Sequence, residues 1–194
     1  MAALLATVMY FICTPVAPRL PPRLKAKWKV YSAMEEQKMK IQSRAFDEAK
    51  EIPAKYTCEG QNISPPLSWS DVPKNAKSLV LIVDDPDAPD PKAPKMIWDH
   101  WVLYNIDPKS GDLDENVRLK DLPEGTLRGL TSWKNQNYGG PCPPIGRHRY
   151  FHRLYALDVL LPDLDKPTTQ ELRQAMEGHI LAEAALMGTY EKSK

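Results

Sequence analysis

Apolar side chains along this chain follow two periods, and the change from one to the other falls near the C-terminus. Ser78-Leu79-Val80-Leu81-Ile82-Val83 is a continuous apolar run rich in strand formers, which predicts a strand buried on both faces. It runs into Asp84-Asp85-Pro86-Asp87-Ala88-Pro89-Asp90-Pro91, where three prolines forbid a continued ladder. Trp98 to Ile106 predicts a second strand, with His100, Val102, Tyr104 and Ile106 on one face and Trp101, Leu103 and Asn105 on the other. Arg149 to Leu157 predicts a third, with Tyr150, His152, Leu154 and Ala156 opposite Phe151, Arg153, Tyr155 and Leu157. Shorter strands are expected at 40–46, 67–70 and 126–133. The period then becomes helical. Thr168-Thr169-Gln170-Glu171 has the form of a capping box, and Leu172, Ala175 and Met176 follow at helical spacing. A helix is expected over 169–177, interrupted at Gly178, then a short turn or second helix, with a return to strand over 185–192. The elements together predict a mostly β fold, a sandwich or barrel, in one domain from residue 39 onward.

Composition agrees with short elements in stiff loops. The 194 residues include 19 prolines, far more than a long helical bundle tolerates. Charge is nearly balanced at +1, so no global field exists to hold nucleic acid. Its distribution is uneven. Residues 1–33 carry Arg19, Arg23, Lys25, Lys27 and Lys29 and no acid, whereas 34–194 has 21 basic and 25 acidic residues. The uncharged run Ala2–Ala17 is shorter than the ~20 apolar residues of a membrane span, so no stable membrane insertion is expected. It also lacks the basic start of a secretory signal. Residues 1–38 are therefore set apart from the fold as a leader or over-extended N-terminus, with Met34 or Met39 as the expected initiator and a divergent targeting peptide as the alternative. A cytoplasmic location follows from the first reading, an exported or organellar one from the second.

Cys13, Cys58 and Cys142 are too few for a disulfide scaffold, and none forms a C-x-x-C pair that would hold zinc. Cys58 and Cys142 lie in turn-rich segments that could meet in space; two buried thiols are the favoured reading. Asn62-Ile63-Ser64 is formally a glycosylation sequon, with meaning only on a secretory route.

Four segments carry candidate chemistry. The acidic-proline turn Asp84–Asp87 presents fixed carboxylates at a strand end, where a plain Asx-type turn is the simpler reading. His100 opens a strand between two tryptophans, in the sequence Trp98-Asp99-His100-Trp101, giving an imidazole with an apolar wall. Gly139-Gly140-Pro141-Cys142-Pro143-Pro144-Ile145-Gly146-Arg147-His148-Arg149-Tyr150 combines close backbone approach with rigidity and delivers His148 and Tyr150 to one strand face, as a binding loop would. Asn62 to Trp69 is a proline-stiffened strand entry with a structural role.

Taken together, Tyr56-Thr57-Cys58-Glu59-Gly60, Ile63-Ser64-Pro65-Pro66-Leu67-Ser68-Trp69, Asp85-Pro86-Asp87-Ala88-Pro89, Trp98-Asp99-His100-Trp101-Val102, Tyr138 to Gly146, His148-Arg149-Tyr150 and Gly178-His179-Ile180-Leu181-Ala182 resemble the phosphatidylethanolamine-binding protein family, in particular its prokaryotic-type, Raf-kinase-inhibitor-like branch. The resemblance runs from about residue 41 to residue 191. It implies a large central antiparallel sheet packed on a smaller one, with short C-terminal helices. It also implies a small anion pocket lined by Asp85 and His100, walled by Pro143 and Pro144 and closed by His148, with Asp87 beside it and Tyr150 nearby. His152 departs from the pattern, where an aromatic residue is usual. The additional C-terminal helix of the vertebrate members, with its tyrosine, has no match here.

The expected function is that of a non-enzymatic binding protein for phosphate or a phosphorylated headgroup such as phosphoethanolamine, with no cofactor. Two imidazoles near a carboxylate should have raised proton affinity, so that binding strengthens as pH falls. The alternative is a protein–protein regulator, a kinase or protease inhibitor, docking through the same pocket mouth. An enzyme is a third reading: Asp85, Asp87, His100 and His148 could hold a divalent metal, while no serine sits in a nucleophile-elbow motif. No nucleic-acid partner is expected, and aromatic-rich strands are compatible with a homodimer.

Overall fold

The computed structural model describes residues 38–193. The leader expected over residues 1–38 lies almost wholly outside the described residues. Among the described residues, eight strands form two antiparallel sheets. The smaller sheet contains β1 (Lys40–Gln42), β2 (Leu67–Ser70) and β5 (Asp112–Leu113), in the order β1-β2-β5. The larger contains β3 (Ser78–Asp85), β4 (Trp98–Ile106), β6 (Leu127–Arg128), β7 (His148–Leu157) and β8 (Ile180–Tyr190), in the order β6-β4-β3-β7-β8.

β3 is the central strand and is buried along its whole length, as its unbroken apolar run requires. Leu79, Leu81 and Val83 pack between the sheets with Ile41, Leu67, Trp69, Trp101, Leu103, Tyr150 and Leu154. Val80 and Ile82 face the other way, onto Val102, Tyr104, Leu157, Leu172 and Met176. The last two belong to α1 (Thr169–Met176), which covers the outer face of the large sheet. Its start is the expected capping box: the Glu171 N–H donates to Oγ1 of Thr168, while the Glu171 carboxylate accepts from the Thr168 N–H at 2.8 Å.

Two expectations are corrected at the C-terminus. α1 is the one α-helix among the described residues, and no second helix follows Gly178. The chain instead enters β8 at Ile180, five residues earlier than the expected return to strand. The apolar residues of 180–186 satisfy a helical spacing, but antiparallel pairing with β7 from Leu157↔Ile180 to His148↔Tyr190 overrides it. Gly178 takes φ of +79°, the left-handed conformation that ends a helix without a Cβ penalty.

β4 carries the irregularity on which the site depends. Val83 pairs with Trp101 but Asp84 pairs with Asp99, so His100 is an extra residue, a β-bulge. The strict alternation expected for this strand therefore fails. His100 shares the inter-sheet side with Trp101 and Leu103, and is not aligned with Val102 and Tyr104. A second shift near Asn105, with φ of +57°, likewise returns Ile106 to the inter-sheet core.

Candidate functional site

At one end of the large sheet, β3 ends at Asp85, the bulge of β4 turns His100 inward, and β7 begins with His148 and Tyr150. These four polar side chains are all buried. They line a cavity of about 320 Å³ whose remaining walls are Ala88, Pro89, Trp98, Trp133, Cys142, Pro143 and Pro144. The expected residues Asp85, His100, Pro143, Pro144, His148 and Tyr150 are thus brought together. Asp87 is not among the lining residues. Its carboxylate accepts from the Arg149 backbone N–H at 2.9 Å and from the guanidinium at 2.7 and 2.9 Å, and the guanidinium holds its pKa below the usual range. Asp87 therefore ties the turn after β3 to the start of β7 through Arg149.

Each polar group is positioned by a specific bond. His148 Nδ1 lies 2.7 Å from Asp85 Oδ2, and His148 Nε2 donates to the Ile145 carbonyl at 3.0 Å. The other Asp85 oxygen accepts from the Asp87 N–H at 2.8 Å. Burial raises the Asp85 pKa, and the His148 bond opposes that rise without cancelling it. His100 Nδ1 donates to the Gly139 carbonyl at 2.6 Å. Burial dominates here too and pushes the His100 pKa down to about 4. The expectation of raised proton affinity at this imidazole is therefore overturned, because it gives up solvent and gains a carbonyl rather than a carboxylate. The Tyr150 hydroxyl is buried and has no hydrogen-bond partner, and desolvation raises its pKa.

The aromatic wall was only half legible. Trp98 stood out beside His100, but nothing in the polar segment around Trp133 marks it. Its indole packs edge-on against Trp98 at 5.4 Å and against His100 at 5.1 Å between ring centroids. Gly139 makes this approach feasible, since a Cβ there would stand 2.5 Å from the Trp133 ring.

Cys58 and Cys142 form a disulfide, which corrects the reading of two buried thiols, and both residues are exposed. The cause is backbone proximity. Gly140 lies against Tyr56 and Thr57, its N–H donates to the Asn62 side chain at 2.7 Å, and the Cys58 N–H donates to the Pro141 carbonyl at 3.1 Å. The two Cα atoms are then 5.4 Å apart, within disulfide reach. The bridge spans 84 residues and holds the loop that carries Pro143 and Pro144. Reduction is expected to lower stability by roughly 2–4 kcal/mol. Urea unfolding with and without a thiol reductant checks this, and coincident midpoints would contradict it.

A second cavity of about 250 Å³ lies beyond Trp101 and Tyr138. Several of its polar groups are already bonded to one another, Arg128 to Asn137 at 3.3 Å and Gln136 to the Arg128 carbonyl at 2.8 Å. It offers no imidazole and no carboxylate, so the first cavity is the candidate site. Among the described residues no group of three His, Cys, Asp or Glu side chains is placed to hold a metal ion. His148 and His152 are four apart, but along a strand that spacing separates them by ~13 Å. No helix of the described residues is long and apolar enough to cross a membrane.

Comparison with known proteins agrees with this architecture. A "UPF0098 protein" of Methanothermobacter thermautotrophicus is 51% identical over 156 residues, covering 79% of this chain and 99% of that protein. The crystal structure of CT736 from Chlamydia trachomatis, described as a putative phosphatidylethanolamine-binding protein homolog, is 47% identical with a TM-score of 0.74, covering 80% of this chain and 99% of that one. Escherichia coli YbcL, described as a new member of the mammalian PEBP family, is 27% identical with a TM-score of 0.71, over 80% of this chain and 99% of its own. The family model described as phosphatidylethanolamine-binding protein matches residues 42–191, and with these relatives it shows that the chain belongs to the phosphatidylethanolamine-binding protein family.

Proposed function

We propose that this protein is a non-enzymatic binding protein whose cavity takes phosphate or a small phosphorylated headgroup such as phosphoethanolamine. The observation that carries the reading is the Tyr150 hydroxyl, buried without a partner in a cavity that also holds two imidazoles and Asp85. A ligand oxygen satisfies that hydroxyl. The prolines and indoles give a rigid apolar wall against which a short headgroup packs. No residue of the lining is set up as an activated nucleophile: Tyr150 is held protonated, and Asp85 is engaged on both oxygens. The name of the family model is consistent with a phosphorylated ligand.

Calorimetric titration of the full chain with phosphate, phosphoethanolamine and acetate at pH 6 and pH 8 tests this. Saturable binding of the phosphorylated ligands is expected, stronger at pH 6 and lost in His148→Ala with retained near-ultraviolet circular dichroism. No binding of any of them would sink the reading.

A second reading, a protein–protein regulator, is favoured by the cavity's surroundings. Met96, Ile97 and Ile145 are exposed large apolar residues, and each lies within two residues of the lining residues Trp98 or Pro144. A phosphopeptide displaced by free phosphoethanolamine would support docking through this mouth, and a phosphopeptide bound with no competition would oppose it.

A further inference from the structure

The second cavity, beyond Trp101 and Tyr138, shares no lining residue with the first. Its walls come from segments that are already tied together. The Asn116 N–H donates to the Ser64 carbonyl at 2.9 Å, and the Gln136 side chain donates to the Arg128 carbonyl at 2.8 Å. Trp101 and Tyr138 pack edge-on at 5.6 Å between ring centroids and form an aromatic wall, to which Ile63, Val117 and Leu122 add apolar surface. The polar side of the cavity consists of donors. Asn62 Oδ1 accepts from the Gly140 N–H, and Asn137 Oδ1 accepts from Nη1 of Arg128 at 3.3 Å. An N–H can only donate, so both amide oxygens are used and both NH2 groups remain, without an acceptor among the described residues.

The charge is also one-sided. Arg118, Arg147, Arg149, Arg153 and Arg173 each pair with a carboxylate. Arg128, half-buried on β6, pairs with none among the described residues, and its bonds to Asn137 and to the Gln136 carbonyl are long, at 3.3 and 3.5 Å. Asp163 and Asp165 share a neighbouring depression with Arg128 and Lys166, but form no ion pair with the guanidinium. Arg118 also lines the cavity, and Asp121 matches its charge at 2.6 Å. No carboxylate lines the cavity, so the Arg128 charge is left unmatched.

We infer that this cavity is a second ligand site, for a small organic monocarboxylate whose head sits on the Arg128 guanidinium and the Asn137 amide, and whose apolar body packs on Ile63, Val117, Leu122 and Trp101. A guanidinium presents its donors in a plane, as the two oxygens of a carboxylate require. A phosphate dianion would bring a second charge that nothing in the cavity meets. The inference stands apart from the phosphate reading of the first cavity, and neither requires the other.

Benzoate is the probe, with benzamide as a neutral compound of the same shape. In a nitrogen-15 correlation titration of the full chain at pH 6, benzoate is expected to shift and saturate the Trp101 indole and Arg128 Nε–H signals, while those of Trp98 and Trp133 stay in place. Benzamide should bind at least about ten-fold more weakly, since it lacks the charge that the guanidinium meets. Calorimetry at pH 6 and pH 8 should give benzoate affinities within about two-fold, because guanidinium and carboxylate both keep their charges over that range. Arg128→Gln should weaken benzoate at least about ten-fold with an unchanged thermal melt. The benzoate–benzamide comparison uses the wild-type chain and so needs no variant to fold. Benzamide bound as tightly as benzoate, undiminished binding in Arg128→Gln, shifts at Trp98 and Trp133 in place of Trp101, or no saturation below about 20 mM would each overturn the inference. All four leave the phosphate reading to its own titration.

Discussion

Replacing Asp85 with alanine is expected to destabilise the folded protein by about 3–5 kcal/mol, because it removes one partner of a buried, hydrogen-bonded pair. His148 is fully enclosed, and its Nδ1 would face an empty space where Asp85 Oδ2 now stands 2.7 Å away. The Asp87 N–H would lose its acceptor at the same time, loosening the turn that Arg149 braces. Asp85→Asn behaves differently on the same physics. Its amide oxygen still accepts from the Asp87 N–H, and its NH2 donates to His148 Nδ1 while Nε2–H stays on the Ile145 carbonyl. That variant should lose only about 1 kcal/mol. Urea denaturation at pH 7, followed by tryptophan fluorescence, gives both values. An alanine variant within 1 kcal/mol of wild type, or an asparagine variant as weak as the alanine one, would contradict this account of the pair.

Stability should also fall steeply between pH 6.5 and pH 4. His100 and His152 are buried, and burial lowers the pKa of each to about 4. Above pH 6.5 both are neutral in folded and unfolded chains, so their contribution is constant. As pH falls through 6.5 the unfolded chain takes up protons that the folded chain refuses, and stability is lost until the folded pKa is reached. The expected loss is about 3 kcal/mol for each histidine over that window. The raised pKa values of Asp85 and Asp99 act in the opposite sense at its acidic end. His152→Phe isolates one histidine. His152 lies between the sheets with both ring nitrogens unpartnered, 5.4 Å from the Phe46 ring. A phenylalanine there removes a buried polar group with no bond to lose, and is expected to add about 1 kcal/mol at pH 7. Its advantage should widen by about 2 kcal/mol at pH 5, read from urea midpoints at the two pH values. An unchanged difference would mean that His152 is protonated in the folded state.

The strands that form the core were legible because each is long and apolar in a way only one arrangement satisfies. β3 has no polar face to expose, so it had to be central, and β7 alternates cleanly enough to fix which side His148 and Tyr150 share. β4 misled because a bulge is a register event, decided by how Asp84 and Asp99 pair across strands and absent from the local pattern. β8 was cut short because its alanines carry little preference and its pairing with β7 settled the matter. β5, two residues long, leaves no periodic trace at all. At the site, Asp85, His100, Pro143, Pro144, His148 and Tyr150 line one cavity, and each lies in a segment that the sequence pattern singles out. Trp133 and the Cys58–Cys142 bridge depend on contacts across large separations in sequence, created by the close approach that Gly139 and Gly140 permit.

The central claim is that a phosphorylated ligand occupies the cavity beside Asp85, His100 and Tyr150. Of the four tryptophans among the described residues, Trp98 and Trp133 line that cavity, and Trp69 and Trp101 do not. The most direct measurement is a titration of the full chain with phosphoethanolamine at pH 6, followed through the indole N–H signals in a nitrogen-15 correlation spectrum. The account predicts that the Trp98 and Trp133 signals shift together and saturate, while those of Trp69 and Trp101 stay in place. Signals that remain still to millimolar ligand, or shifts at Trp69 or Trp101 instead, would contradict it.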